Sequence, residues 1–172
     1  MDFWGEEHSF LKRVDEFDNL IVLRTCSKAL GLAAIRLGLA VANPTLTRII
    51  TAVKSPYNIN ALTQAVGAAI LSDTEMVKDR IAWIICMRDA LYQGLKALEG
   101  DVIKKVFEPK TNFVFLDFED PAIAKQVFEG FLSNSIAVRY MGRYLRITAG
   151  NDAENEAVLK LLPKLLEAAG GN

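Results

Sequence analysis

One histidine, His8, and two cysteines, Cys26 and Cys86, are all that this 172-residue chain offers to imidazole or thiolate chemistry. His8 follows Glu6 and Glu7 in an expected surface loop, so a histidine-based metal site or a Ser-His-Asp triad has little support. The cysteines form no C-x-x-C spacing, and neither a zinc site nor a redox pair is expected. An excess of charge is also missing. Twenty Lys and Arg face 21 Asp and Glu, a net charge of −1, which leaves no electrostatic footprint for nucleic acid. No uncharged apolar run reaches membrane-spanning length, and no basic-then-apolar signal segment opens the chain. A reduced, cytoplasmic location is the expectation, with neither nucleic acid nor membrane as partner. The 51% hydrophobic and 24% charged residues are the balance of a globular protein. Proton transfer, if the chain performs any, falls to a side chain other than histidine, and lysine is the natural candidate.

What is present centres on Arg24-Thr25-Cys26-Ser27-Lys28-Ala29-Leu30-Gly31-Leu32-Ala33-Ala34-Ile35-Arg36-Leu37-Gly38. From Ala29 to Asn43 the only charged residue is Arg36. A lysine in apolar surroundings loses hydration, which favours the uncharged amine. Such an amine is a nucleophile that forms Schiff bases with carbonyl compounds and with pyridoxal phosphate. An arginine nearby, with the Ser27 hydroxyl, suits a phosphate dianion through charge-assisted hydrogen bonds. The combination points to a lysine-bound phosphorylated aldehyde. The plainer reading stands beside it: Lys28 and Arg36 reach outward and keep their charged ends in water.

Along the chain, a short helix is expected around Phe10–Phe17 and a buried strand over Asn19–Thr25. A second strand follows over Arg36–Val41. Asn43 caps a helix with Pro44 at its first position, running to Val53, and another helix covers Ile59–Leu71. Ser72-Asp73-Thr74-Glu75 reads as a capping box that opens a long helix. Val77, Ile81, Ile84, Leu91, Leu95 and Leu98 form its buried stripe and Gly100 its stop. About 25 residues would span some 38 Å, long enough to bridge two lobes. The remainder reads as a β-α-β-β-α unit over about 101–169. Its strands are Thr111–Asp117, Ile136–Tyr140 and Tyr144–Thr148, and its first helix starts at Asp120-Pro121. Asn151 caps the last helix, in which Pro163 predicts a kink or a break, and Gly170-Gly171-Asn172 ends it.

The pattern S-K-A-x-G-L-A-x-x-R-L-G over Ser27–Gly38 resembles the cofactor-lysine motif of fold-type I pyridoxal-phosphate aminotransferases, in particular the histidinol-phosphate aminotransferase group. Three further stretches resemble the same family in the same order. Ser55-Pro56-Tyr57-Asn58-Ile59-Asn60 resembles the loop after the lysine motif. Thr111-Asn112-Phe113 resembles the first strand of the small domain, and Tyr144-Leu145-Arg146-Ile147-Thr148-Ala149-Gly150 the segment whose arginine binds the substrate carboxylate.

The resemblance implies roles. Lys28 would carry the cofactor, pyridoxal phosphate, and move the substrate proton, while Thr25, Ser27 and Arg36 would hold the cofactor phosphate. Arg146 would pair with the substrate carboxylate, and Arg139 would be a second anion contact, unless it is simply a solvated hairpin residue. Asn112 and Tyr57 would be secondary substrate or subunit contacts, the alternatives being a strand-end pin and a packing residue. The implied fold is α/β with an α+β small domain: residues 1–72 as a remnant of the large domain, 73–100 as a connecting helix, and 101–172 as the small domain. Implied partners are a second copy of the chain, an amino acid or phosphorylated amine, and a 2-oxo acid.

The resemblance covers only the family's C-terminal half. The upstream aspartate that pairs with the ring nitrogen, the ring-oxygen tyrosine and the glycine-rich phosphate turn have no counterpart, and Asp2 is no replacement. The expectation is therefore a C-terminal aminotransferase fragment, inactive alone, whose first 72 residues keep unpaired sheet edges and exposed apolar surface. A threonine-phosphate decarboxylase-like lyase and a non-catalytic folded fragment are the alternatives.

Overall fold

Asn43 and Asn60 start two helices by the same device. In the computed structural model, which describes residues 2–170, the Asn43 Oδ1 accepts the Leu46 amide at 3.0 Å and the Asn60 Oδ1 accepts the Thr63 amide at 2.9 Å. Each satisfies one of the amides left open at a helix start. The helices are α1 (Pro44–Val53) and α2 (Ala61–Ser72). Before them lie short 3-10 turns at Glu6–His8 and Phe10–Glu16 and two strands, β1 (Ile21–Thr25) and β2 (Gly38–Ala42). The strands pair antiparallel, Val22 opposite Val41 and Thr25 opposite Gly38, as a two-stranded sheet.

The long helix α3 (Thr74–Lys96) is capped not by Ser72 but by Asp73, whose Oδ1 accepts the Met76 amide at 3.0 Å. Ser72 instead donates its hydroxyl to the Ala69 carbonyl. The chain divides inside α3 into two compact units, Met1–Ile81 and Ala82–Asn172.

The second unit holds β3 (Ile103–Phe107), β4 (Phe113–Phe118), α4 (Pro121–Ser133), β5 (Arg139–Met141), β6 (Tyr144–Thr148) and α5 (Asp152–Gly170). Its antiparallel sheet has the order β3-β4-β6-β5. The expected β-α-β-β-α succession is present, preceded by β3, a strand not expected from the sequence. Lys104 and Lys105 hide it by interrupting the apolar pattern, while Ile103 and Val106 go fully inward. The register shifts between Ile103 and Lys105, a bulge that also breaks strict alternation. Val114, Leu116 and Phe118 from β4 and Leu145 and Ile147 from β6 meet Leu91, Leu95, Val127, Phe131, Val158 and Leu162 from the helices in one core. Glu99 clasps the turn after α3: its carboxylate accepts Lys96 Nζ at 2.6 Å and the Val106 amide at 2.5 Å. Those two donors hold its carboxyl below the usual range.

Several expectations need correction. Residues 136–138 are not strand; only Arg139–Met141 pairs with β6. Arg36 and Leu37 precede β2, and Arg36 is left-handed. Pro163 does not break α5, which runs unbroken from Asp152 to Gly170. Buried Val158 and Leu162, the latter wholly enclosed, keep that stretch packed despite the lost amide. Gly171 and Asn172, expected to end the helix, lie outside the described residues. The strand expected to be buried at 19–25 is half exposed: Leu23 shows 76% of its surface. No strand covers the outer edges of β1 and β2 among the described residues.

The units differ in how much they bury. Apart from Val14, Cys26, Ala29 and Leu37, every buried apolar residue named in the core belongs to residues 82–170. Residues 51–60 are exposed throughout, and most of them lie outside helix. Local opening is easiest where few apolar contacts must break. Limited trypsin digestion is therefore expected to cut first at Lys54, leaving a resistant C-terminal product. Earlier loss of residues 101–170, followed by mass spectrometry, would contradict this ordering.

Candidate active site

The lysine motif folds as a loop pinned at its base. The Cys26 amide donates to the Leu37 carbonyl at 3.2 Å, and the Cys26 carbonyl accepts the Leu32 amide at 3.1 Å. Cys26 and Ala29 are buried, at 3% and 2% exposure, so the side chain between and beyond them turns outward. Gly31, at φ +66°, closes the turn by donating to the Lys28 carbonyl at 3.1 Å. Lys28 is thus exposed rather than desolvated, and no hydrogen bond or ion pair engages its amine among the described residues. The apolar neighbours in sequence point inward; they do not surround the ammonium.

Thr25 ends β1, and its Oγ1 accepts the Ser27 amide at 3.2 Å. Arg36 adopts φ 54° and ψ 40° and spends one guanidinium N–H on the Ala33 carbonyl at 3.0 Å. The donor set of Thr25, Ser27 and Arg36 with an uncommitted lysine suits a phosphorylated carbonyl compound. Asp2 is engaged elsewhere, in an ion pair with Arg24. Burial and the nearby Asp2 carboxylate push the Cys26 thiol above its usual value, with Arg24 acting in the opposite direction. A buried thiol held protonated is no nucleophile. Tyr57 is 90% exposed within this chain.

In the second unit, Arg139 and Arg146 stand directly opposite each other across β5 and β6. The Arg146 guanidinium lies 4.9 Å from the centre of the Phe113 ring, and its Nε is buried without a hydrogen-bond acceptor. Arg139 is exposed and makes no ion pair among the described residues. The Asn112 carbonyl accepts the Ala149 amide at 3.0 Å, extending the β4–β6 ladder past its end. Arg88, 7% exposed, donates to the Thr111 carbonyl at 3.3 Å and steadies the approach to β4. Asn155 completes the frame: its Oδ1 accepts the Gly150 amide and its Nδ2 donates to the Met87 carbonyl, each at 3.0 Å. A cleft of about 460 Å³ opens between residues 135–138 and the first turns of α5, but neither arginine lines it. The sequence motifs gave no hint of Phe113 beneath Arg146 or of the Asn155 brace. Both arise from cross-strand and helix–strand neighbours distant in sequence.

The mixed sheet-and-helix architecture matches that of solved aminotransferases. The chain belongs to the aminotransferase class I and II family, whose model matches residues 1–162. It is 37% identical over 167 residues to a histidinol-phosphate aminotransferase of Clostridium novyi (strain NT), covering 94% of this chain and 45% of that protein. Among solved structures, the histidinol-phosphate aminotransferase from Clostridium acetobutylicum superposes with a TM-score of 0.86 at 23% identity, over 97% of this chain and 52% of that one. The L-threonine-O-3-phosphate decarboxylase from Porphyromonas gingivalis gives 0.81 at 24% identity, over 97% and 53%. The fold is that of fold-type I aminotransferases. The chain spans about half the length of the curated relatives it matches. Among the described residues no helix is long and apolar enough to cross a membrane.

Proposed function

We propose that this chain is the C-terminal part of a pyridoxal-phosphate-dependent aminotransferase of the histidinol-phosphate type. The whole protein would move an amino group between an amino acid or amino-alcohol phosphate and a 2-oxo acid, as a cytoplasmic homodimer. In this reading residues 1–72 belong to the cofactor-binding domain, 73–100 to the connecting helix with the turn that closes it, and 101–172 to the small domain.

Lys28 would hold the cofactor through Nζ, and Thr25, Ser27 and Arg36 would hold its phosphate. When bound, pyridoxal phosphate supplies a ring that takes up the charge left when a substrate loses its α-proton. Lys28 Nζ is the group that would take up and return that proton. Arg146 would orient the substrate carboxylate, a two-pronged task that suits guanidinium better than ammonium. Arg139 would add a second anion contact, with Asn112 and Tyr57 secondary. Asp2 is committed to Arg24, which favours an inactive chain when this half is alone.

The observation that carries the reading is the arginine pair. Like charges directly opposite on a sheet repel, and a buried guanidinium nitrogen without an acceptor is costly. An anion bound between Arg139 and Arg146 would relieve the repulsion and offer the Arg146 guanidinium an acceptor. Titration of the chain with acetate, followed through the arginine Nε–H resonances, is expected to give a saturable shift at Arg146. Arg146→Met should abolish it, while Arg139→Met should weaken it several-fold, the scale of one charge-assisted contact. A wild-type chain with no saturable response at Arg146 would refute the anion role.

The decarboxylase likeness favours a second reading, a lyase acting on a phosphorylated amino acid. A longer polypeptide carrying this chain, assayed for amino transfer against carbon dioxide release, separates the two.

A further inference from the structure

Arg36 holds a left-handed conformation, φ 54° and ψ 40°, which a long-side-chain residue keeps only where its surroundings over-determine it. Those surroundings lie on α2. The Asn60 cap fixes the Thr63 amide, and Thr63, 5% exposed, donates its hydroxyl to the Ile35 carbonyl at 2.9 Å. One turn further on, Gly67 is buried against Leu37; a Cβ there would meet Leu37 Cδ2 at 2.5 Å. The helix thus grips the residues on both sides of Arg36, Ile35 by a hydrogen bond and Leu37 by contact. The grip continues inward, because the Leu37 carbonyl accepts the Cys26 amide and the Cys26 carbonyl accepts the Leu32 amide. Cys26 is the base of the loop that presents Lys28. One set of contacts therefore ties α2 to the arginine and to the lysine loop.

We propose that Thr63, seconded by Gly67, is a positioning residue that fixes Arg36 in its left-handed turn and sets its spacing from Lys28. The amine and the guanidinium are then presented together to a phosphorylated aldehyde. The inference rests on the Lys28 and Arg36 roles proposed above. Thr63 itself touches no reactant; it acts through the Ile35 carbonyl. A residue that only stabilised the fold would be indifferent to where Arg36 points, and the two can be told apart.

The test uses the whole 172-residue chain with pyridoxal phosphate as probe. Thr63→Val keeps the side-chain shape and removes the hydroxyl, and Thr63→Ser restores it. Two quantities are read: the probe concentration that half-labels Lys28 after borohydride reduction, by mass spectrometry, and the amide-to-α-proton coupling of Arg36, which reports its φ. Thr63→Val is expected to raise the half-labelling concentration about ten-fold, the scale of one lost buried hydrogen bond. It should also move the Arg36 coupling away from the left-handed value, and Thr63→Ser should return both. Unchanged labelling and coupling in Thr63→Val, or a serine variant that behaves like valine, overturns the proposal. If the wild-type chain leaves Lys28 unlabelled, the lysine reading fails, and the Arg36 coupling alone decides whether Thr63 holds the turn. Should Thr63→Val unfold residues 2–81, Thr63→Cys puts a weaker donor in place of the hydroxyl at nearly the same size. Smaller shifts of both quantities in the same direction are then expected, and their absence counts against the proposal.

Discussion

Lys28→Ala is expected to abolish selective attachment of pyridoxal phosphate to this chain while leaving its thermal unfolding where it was. The lysine is exposed and its amine engages no partner among the described residues, so its removal deletes no hydrogen bond or ion pair there. Substitutions at such positions shift stability by no more than about 0.5 kcal/mol. The chemistry, by contrast, goes entirely, because alanine has no amine to condense with an aldehyde. Lys28→Arg sharpens the test: it keeps the positive charge, but guanidinium stays protonated and cannot condense. Both variants should therefore lose the visible absorption band and the borohydride-fixed label together. Label spread evenly over the other lysines of the wild-type chain, or retained in Lys28→Ala, would remove the basis for assigning the reaction to this loop.

Phe131→Ala is expected to cost about 3–5 kcal/mol in the second unit, the range for truncating a fully buried aromatic. Phe131 has no exposed surface and belongs to the core made by α3, α4, α5 and the sheet. Its carbonyl also accepts the Ile136 and Asn134 amides that turn the chain out of α4, so the cavity would open beside a helix end. Urea unfolding followed by the near-ultraviolet signal would measure the loss. Leu23→Ala serves as control. At 76% exposure it should change stability by less than about 0.5 kcal/mol. A loss below about 1 kcal/mol for Phe131→Ala would mean that this core is not the cooperative unit the packing indicates.

Helix starts were readable because a cap is a local event. Asn43, Asp120 and Asn151 each accept an amide two or three residues on, and sequence spacing contains all that such a contact needs. The same locality misled at Ser72, where Asp73 competes for the same task one residue later. Strand β4 was legible from the apolar run Phe113–Leu116, whereas β3 was not, since two adjacent lysines mask Ile103 and Val106. The lysine loop was legible as a pattern, yet its solvation was inverted. An apolar neighbourhood in sequence says nothing about which way each side chain turns. The arginines were named from their motif, but the feature that makes Arg146 informative comes from Phe113 on another strand. Thr63 was invisible for a related reason: a threonine three residues into a helix is ordinary until its hydroxyl is found on a carbonyl 28 residues away.

Asn155 carries a consequence of another kind. Its amide works from both ends, accepting from Gly150 and donating to Met87, inside a site only 6% exposed. Aspartate would keep the acceptor and lose the donor, leucine would lose both, and glutamine would overreach by a methylene. The position therefore imposes as narrow a requirement on residue identity as a reactive group does, although it handles no reactant. At Asn155 a strict demand on side-chain identity would arise without chemistry. A residue can be irreplaceable because it joins the end of a strand to a helix with the one side chain that is donor and acceptor at that length.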